Sequence, residues 1–265
     1  MDEKIAENAL RWYESLETLV LDFMKVVPPH DQNLSVWSPR LADVLVEACN
    51  LIGSVLFEIT DACVPVYRKG RERKPRPGDT EPRYCAKRTA LSLFDYADLY
   101  SPSLRLPTRK VFPFEGPFCW RDPFTAWVGW TPGKCSDSPR WWAMHNKSKH
   151  SRLAQLPSFT LDNTLDALAG ALVILATVKA LRPALARRGW LGSPYGAQED
   201  LLQVVEQYDC ESRKLEGWSF VETPLFSVPL GTQALPDAIS DFHRPLYELS
   251  PRIGRFLLGT TPTTR

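Results

Sequence analysis

A segment rich in basic and imidazole side chains carries the residue types of this sequence that are best suited to chemistry on an anion. The twelve residues W-W-A-M-H-N-K-S-K-H-S-R, from Trp141 to Arg152, include two of the four His of the chain, two Lys, one Arg and one Asn. They include no acidic residue. In a helix, Asn146 and His150 lie one turn apart on the same face. The segment therefore predicts a site for a negatively charged ligand with an imidazole within reach.

Three interpretations of this cluster are open. In the first, His150 acts as a general acid or base in metal-independent RNA cleavage, because an imidazole titrates near neutral pH. Asn146 would orient His150 or hold a substrate oxygen. Phosphate charge would be stabilised by Lys147, Lys149 and Arg152. In the second interpretation, the same groups only bind an anion. In the third, Asn146 and His150 form buried hydrogen bonds within a helical bundle, and the cations are its solvated face.

Composition limits where such a ligand can bind. The chain has 265 residues and a net charge of +1, so bulk charge does not predict a polyanion-binding protein. Any contact with nucleic acid must come from a local patch. The sequence contains no Gly-rich phosphate loop, no G-x-S-x-G, no H-E-x-x-H and no C-x-x-C. We therefore expect neither a metal nor a cofactor.

Cysteine usage and the N-terminus bear on the compartment. The six Cys are scattered, and Met1 is followed by Asp2, Glu3 and Lys4 without an apolar signal core. An even count leaves a disulfide framework open by arithmetic, but this context favours reduced thiols in a cytoplasmic protein without a zinc site. The longest apolar stretch, 165–178, is too short to span a bilayer, so we expect no membrane contact.

Four helices are predicted to position the cluster. Apolar residues at helical spacing predict a first helix that Pro28-Pro29 stops, and a second that begins at Ser38-Pro39 and ends before Pro65. The third helix carries the cluster and ends at Pro157. Its expected N-cap is Ser138, with Pro139 at the first helical position. The fourth helix starts after Thr160 as N-cap, and its many Ala and Gly residues predict the most buried helix of the bundle.

The chain outside these helices is less regular. Residues 66–135 are expected to form an insertion between the second and third helices, with a short helix over 86–100. Short strands or extended aromatic loops are expected at 110–114 and 124–130. Its basic stretch, 68–76, is either a solvated loop or an arm that contacts nucleic acid. Its aromatic residues form either a satellite core or a base-stacking platform.

The C-terminal extension, residues 191–265, is expected to pack on or beside the bundle. It should contain a short helix over 198–209 and extended pieces at 218–221 and 225–228. The Thr-rich end from Thr260 is expected to be disordered. Together with the bundle domain, 1–190, this gives a mainly α protein with an aromatic-rich mixed insertion and a C-terminal extension.

The helix order and the motif W-W-x-x-[HY]-N-x-x-K-H-x-R resemble the HEPN superfamily, whose name stands for higher eukaryote and prokaryote nucleotide-binding domains. The resemblance covers about residues 1–185. It implies a four-helix up-down bundle of a kind frequent in bacterial toxin–antitoxin and phage-defence systems. It also implies a homodimer through the face of the third helix, because two R-x(4–6)-H motifs together form one RNase site in the active members.

Two registers of that motif fit this sequence. In the first, Asn146 and His150 match the Asn and His of R-N-x-x-x-H, and His145 stands where the family has Arg. In the second, Arg140 and His145 form R-x-x-x-x-H. We favour the first register, because it keeps the Asn and the Lys-His pair; Arg140, Lys149 or Arg152 would then replace the missing Arg. The expected catalytic residues are His150, Asn146 and His145, and the expected substrate-binding residues are Lys149, Arg152, Arg140, Lys147 and Trp142.

The resemblance implies RNA binding or metal-independent RNA cleavage in a bacterial defence or toxin–antitoxin system. Its partners would be RNA, a second copy of the chain and a cognate protein. The alternative function is a non-catalytic interaction or scaffold module in which the His/Asn cluster is structural. A weaker alternative is the binding of a nucleotide or small anion.

Overall fold

A mainly helical fold with small antiparallel sheets is seen in the computed structural model, which describes residues 1–66, 84–114, 120–129, 137–192 and 220–230. The helices are α1 (Glu3–Met24), α2 (Pro39–Glu58), α3 (Leu93–Leu104), α4 (Arg140–Gln155), α5 (Leu161–Thr177) and α6 (Arg182–Arg187). The strands are β1 (Cys63–Val66), β2 (Tyr84–Lys87), β3 (Phe112–Pro113), β4 (Leu191–Gly192), β5 (Phe220–Glu222) and β6 (Phe226–Pro229). The expectations for the basic stretch 68–76, the helix 198–209 and the end from Thr260 lie outside the described residues.

Local capping explains where α1 and α2 begin. The Asp2 carboxylate accepts a hydrogen bond from the backbone N–H of Lys4 at α1, and the Ser38 hydroxyl accepts one from Leu41 at α2. Each cap satisfies an N–H that has no partner inside its helix. The predicted start of the second helix at Ser38-Pro39 is therefore confirmed. Helix α1 ends at Met24, before the Pro28-Pro29 pair that was expected to stop it, and α2 ends at Glu58, before Pro65 as predicted.

Helix α5 is the central element of the core. It packs against α1, α2 and α4, and every residue from Leu161 to Thr177 except Asp162 and Asp166 is buried. Thr160 caps it through the N–H of Asn163. Small side chains allow close contact with α4: a Cβ at Gly170 would lie 2.9 Å from Cζ2 of Trp141. The predictions of the Thr160 cap and of the burial of this helix are confirmed.

Helix α4, which corresponds to the predicted third helix, ends at Gln155, before Pro157 as predicted, but differs from the expectation at its start and has an unpredicted kink. It begins at Arg140, and Pro139 occupies the cap position without a side-chain hydrogen bond, so the prediction of Ser138 as N-cap is wrong. The extended backbone of Pro139, with ψ at 141°, moves the helix start one residue along. At the other end, Ser151 has φ −154° and ψ 58°, which kinks the helix there.

The region between α2 and α4 contains more regular structure than predicted. Strands β1 and β2 form an antiparallel pair, and α3 follows, opened by a capping box between Ser92 and Asp95. The short helix was expected over 86–100, but β2 occupies its first residues and α3 extends to Leu104. The aromatic segment that begins at Phe124 forms a 3-10 turn over Thr125–Trp127, instead of the short strand or extended loop that was expected.

Cys63 and Cys85 form a disulfide across β1 and β2. The expectation that all six Cys are reduced thiols is therefore wrong for this pair. Antiparallel pairing brings the two Cα atoms to 5.9 Å, although the residues are 22 positions apart in sequence. Both cysteines are exposed, whereas Cys49 on α2 is a free thiol inside the core.

A four-stranded antiparallel sheet joins distant parts of the chain in the order β3-β6-β5-β4. Strand β3 comes from the insertion, β4 follows α6, and the β5–β6 hairpin comes from the C-terminal extension. The extended pieces predicted near 218–221 and 225–228 are confirmed in this hairpin. Within the described ranges, no single helix has the length and apolar character needed to cross a bilayer; only the bent pair Leu161–Thr177 and Lys179–Arg187 meets those criteria together.

Candidate functional site

The N-terminal half of α4 is built into the core. Trp141 is buried, its indole N–H donates to the carbonyl oxygen of Pro123 at 3.0 Å, and its ring meets Phe124 edge to face. Trp142 is half-buried and points toward α2, where a Cβ at Gly53 would lie 3.9 Å from its Cη2. These two side chains fix the rotation of α4 about its own axis, and that rotation decides which of the following residues face solvent.

The C-terminal half of α4 stands in solvent. Every residue from Asn146 to Ala154 except Ser148 is exposed, and Leu153 retains 84% of its accessible surface. We call five of these exposed side chains the α4 basic row: Asn146, Lys147, Lys149, His150 and Arg152. The interpretation in which Asn146 and His150 form buried hydrogen bonds is therefore wrong, since the helix turns both outward.

His145 has the opposite environment. It retains 4% of its accessible surface, and its ring lies 5.5 Å from that of Trp142. Burial, followed by the positive charge of Lys149, lowers the pKa of His145 to about 4. The side chain is therefore neutral near pH 7. A buried neutral imidazole cannot exchange protons with a ligand at the surface, so the geometry does not support the predicted catalytic role of His145.

The two registers of the motif differ in the same way. Arg140 is exposed while His145 is buried, so the register R-x-x-x-x-H offers a ligand the cation without the imidazole. The register with Asn146 and His150 has both side chains exposed on α4. Of the two, only the register with Asn146 and His150 therefore brings an exposed imidazole to the cations of the α4 basic row.

Contacts inside the row are few and loose. Lys149 Nζ lies 3.5 Å from Asn146 Oδ1, at the limit of a hydrogen bond. The guanidinium of Arg152 forms an ion pair with Asp43 of α2, and both partners are exposed. Exposed ion pairs contribute little to folding stability, typically about 0–1 kcal/mol. The row is thus held mainly by the helix backbone, and its side chains can move to meet a ligand.

The chemistry available at the row is anion binding next to an imidazole. Lys147, Lys149 and Arg152 supply positive charge, Asn146 an amide and His150 a group that can donate or accept a proton. Metal ligation has no comparable basis: within the described ranges, no group of three or more His, Cys, Asp or Glu side chains is placed to hold a metal ion.

A buried ion cluster that the sequence patterns did not predict lies beside the N-terminus of α5. Arg121, which is buried, donates from Nη1 to Oδ1 of Asp166 at 2.5 Å and to Oδ1 of Asp162 at 3.0 Å. The cluster fastens the aromatic segment before α4 to α5. A signal was present in the sequence, because Asp162 and Asp166 are the only charged residues of α5 and lie one helical turn apart.

A second buried polar site lies between α1 and the turn that joins β5 to β6. The carboxyl group of Glu17 contacts Tyr13, Thr223 and Leu225 there. Glu17 interrupts the apolar stripe of the first helix, which is the one local sign of its role. Two of its partners are distant in sequence, at a separation of 206 for Thr223 and 208 for Leu225, and no local pattern identifies them.

Comparison with known proteins adds no further constraint: the chain matches no protein-family model, no curated protein and no solved structure. The resemblance to the HEPN superfamily therefore stays a prediction from the motif. The function of the α4 basic row has to be inferred from its exposure, charge and chemistry.

Proposed function

We propose that the chain binds RNA through the α4 basic row, as a HEPN-like protein of a bacterial defence or toxin–antitoxin system. The observation that carries the proposal is the exposure of three cations, an amide and an imidazole along one half-helix whose sequence contains no acidic residue. Contacts from Lys and Arg to phosphates supply most of the affinity of non-specific nucleic-acid binding. A local row can provide them although the net charge of the chain is only +1.

The proposal includes a four-helix up-down bundle formed by α1, α2, α4 and α5. It is supported by the packing of α2 against α1, α4 and α5, and by that of α5 against α1 and α4. In this arrangement α4 lies on α2 and α5 with its N-terminal half. Its C-terminal half is left for RNA, a second copy of the chain or a cognate protein.

A catalytic role is proposed for His150, with Asn146 as the residue that orients it or holds a phosphate oxygen. In metal-independent cleavage, a base removes the proton of the ribose 2'-hydroxyl and an acid protonates the leaving oxygen. One exposed imidazole supplies one of these groups. A homodimer through the α4 face would supply a second, and RNA would be the substrate.

A non-catalytic interaction module is the second candidate function. Two observations favour it: the Arg152 side chain is already paired with Asp43, and His145 is part of the core. In this case the row binds an acidic surface of a partner protein, and His150 takes no part in chemistry. Binding and cleavage assays with RNA separate the two candidates.

RNA binding is tested with a short fluorescein-labelled single-stranded RNA, whose anisotropy is followed over a range of salt concentrations. We expect Lys147→Gln/Lys149→Gln to weaken binding and to reduce the slope of log K against log salt by about 1.4, since each lost phosphate contact on single-stranded RNA removes about 0.7. The matched control, Lys4→Gln/Arg11→Gln, makes the same charge change at exposed positions of α1. Equal slopes for both variants would overturn the proposal.

Cleavage is tested by incubating total RNA with the protein in EDTA and resolving the products. We expect wild type to cleave and His150→Ala to lose activity. His30→Ala, which removes an imidazole that is exposed in the loop between α1 and α2, is expected to retain it. If RNA binding persists and none of the three proteins cleaves, the chain binds RNA without cutting it. If the chain neither binds nor cleaves RNA, the interaction module is the function.

A further inference from the structure

Glu17 is a buried carboxyl group on a helix that is otherwise solvated or apolar. It retains 1% of its accessible surface, although it lies in the middle of α1. A carboxyl group in such a position costs folding free energy unless its oxygens receive hydrogen bonds. The partners of Glu17 therefore show what the residue does.

These partners come from α1 and from the β5–β6 turn. The backbone N–H of Leu225 donates to Glu17 Oε1 at 3.1 Å, the Thr223 hydroxyl also donates to Oε1, and the Tyr13 hydroxyl lies 3.5 Å from it. The turn is in contact with the insertion too, since the carbonyl oxygen of Leu225 accepts from Phe114 N–H at 2.8 Å. One carboxyl group thus holds the tip of the central hairpin against α1.

We propose that Glu17 is a proton-sensitive latch, which holds the β5–β6 turn on α1 while it is protonated and favours release of the turn when it ionises. When the turn lifts, water reaches the carboxylate and removes the cost of burying its charge. Release would also free Phe114, so the insertion and the C-terminal hairpin would loosen together.

The charge balance around Glu17 supports titration in the neutral range. Burial raises the pKa of Glu17 to about 7, and the nearby charge of Glu14 acts in the same direction, while the donors at Thr223, Leu225 and Tyr13 oppose it. When the turn is lifted, the pKa returns toward about 4.3, the value of a solvated Glu. The latched state is therefore fully favoured below that value, and its advantage is lost as pH rises through about 7.

The groups around Glu17 on α1 and on the turn differ in charge and in exposure. Burial raises the pKa of Tyr13 well above that of free tyrosine, so Tyr13 stays protonated. On α1, the exposed Glu14 is held by Arg188 of the segment after α6, at 2.6 Å. On the turn, Thr223 carries no charge, and the neighbouring Glu222 is only half-buried.

Hydrogen exchange with mass spectrometry tests the latch, with rates corrected for intrinsic pH dependence and reported as protection factors. We expect protection of 220–230 in wild type to fall, by up to about a hundred-fold, between about pH 5 and about pH 7.5, which is the ratio set by a pKa difference of about 2 to 3. Protection of α5 is expected to stay constant and serves as the internal reference.

Three variants separate the latch from general loosening. Glu17→Gln keeps an acceptor oxygen without a titrating group, and is expected to abolish the pH response of 220–230. Glu14→Gln, on the same helix, is expected to retain it. Thr223→Val removes a donor that favours the ionised form, so the fall in protection should extend to higher pH. The Thr223→Val variant also tests the proposal independently if Glu17→Gln fails to fold.

The proposal is overturned if wild-type protection of 220–230 does not change over this pH range. It is equally overturned if Glu17→Gln follows the wild-type curve. If Glu14→Gln abolishes the pH response, the group that titrates is Glu14 and not Glu17, and the proposal is overturned as well.

Discussion

The C-terminal half of α4 and the buried sites at Arg121 and Glu17 use polar and charged side chains for opposite purposes. On α4 the polar groups are exposed and have few protein partners, so a ligand can bind them without breaking the fold. At Arg121 and Glu17 the groups are buried and form hydrogen bonds with other groups of the protein. A charged residue is therefore informative about function only once its burial and partners are known.

The two histidines of the motif show this difference within one helix. His145 and His150 lie five residues apart, yet one is enclosed beside Trp142 and the other faces solvent. From the sequence alone the two histidines form one cluster, because residue types do not tell which face of the helix is turned toward the core. The packing of Trp141 and Trp142 supplies that information.

Removal of the disulfide is expected to have the largest effect on stability, and it is an exception to the contrast between exposed and buried groups. Cys63 and Cys85 are exposed, but their bond closes a loop of 22 residues and so restricts the unfolded chain. We expect Cys63→Ser/Cys85→Ser to lower the free energy of unfolding by about 3 kcal/mol in urea denaturation. Reductant should destabilise wild type by a similar amount and leave the double variant unchanged. Equal curves for wild type with and without reductant would show that the bond does not contribute.

Arg121→Ala is the next largest expected effect. It leaves the half-buried carboxylate of Asp166 without its nearest cation, and burial already raises the pKa of that carboxyl. Because Asp162 and Asp166 retain some access to water, we expect a loss of about 2–3 kcal/mol, below the range for a fully buried pair. The control is Arg11→Ala at an exposed position of α1, expected to change stability by less than about 0.5 kcal/mol. Similar losses of stability for both variants would show that the buried arginine stabilises the fold no more than an exposed one.

His145 gives an effect that is confined to acidic pH. Its pKa is lowered in the folded protein to about 4, so the folded state disfavours the charged form. Stability is then lost as pH falls below about 6.5, the value of a solvated His, toward 4. We expect the free energy of unfolding of His145→Gln, relative to that of wild type, to increase by about 3 kcal/mol between about pH 7 and about pH 4. His150→Gln should follow the wild-type dependence; if it behaves like His145→Gln, the assignment of inner and outer histidine is wrong.

The smallest expected effect is on the α4 basic row itself. Lys147→Gln/Lys149→Gln should change the free energy of unfolding by less than about 0.5 kcal/mol, because surface substitutions away from caps and buried groups have little effect. Thermal unfolding followed by circular dichroism measures it. A larger loss would mean that the row has a structural role, which would weaken the argument for RNA binding.

The helices were more predictable than the contacts between them. The apolar spacing of α1, α2 and α5 and the caps at Ser38 and Thr160 are local features, so the sequence was sufficient to predict them. The pairing of Cys63 with Cys85, and of Glu17 with Thr223, depends on chain segments that meet only in the folded state.

The candidate site was predictable only in part, for the same reason. Residue types and helical spacing identified Asn146 and His150 as neighbours on one face, and both are exposed. The burial of His145 depends on the rotation of α4, which Trp141 and Trp142 set through contacts with Pro123 and Gly53. Those contacts have no local signature.

The position of the β5–β6 hairpin in the sheet has a consequence for synthesis on the ribosome. Among the described residues, strands β3 and β4 are joined only through this hairpin, and Glu17 receives two of its donors from the hairpin. When only about the first 190 residues have left the ribosome, α1 and α5 can already pack against each other. At that stage the carboxyl group of Glu17 faces water, and the sheet lacks its two central strands. Closure of the nascent domain therefore waits for residues 220–230, which makes the last step of its folding a long-range one.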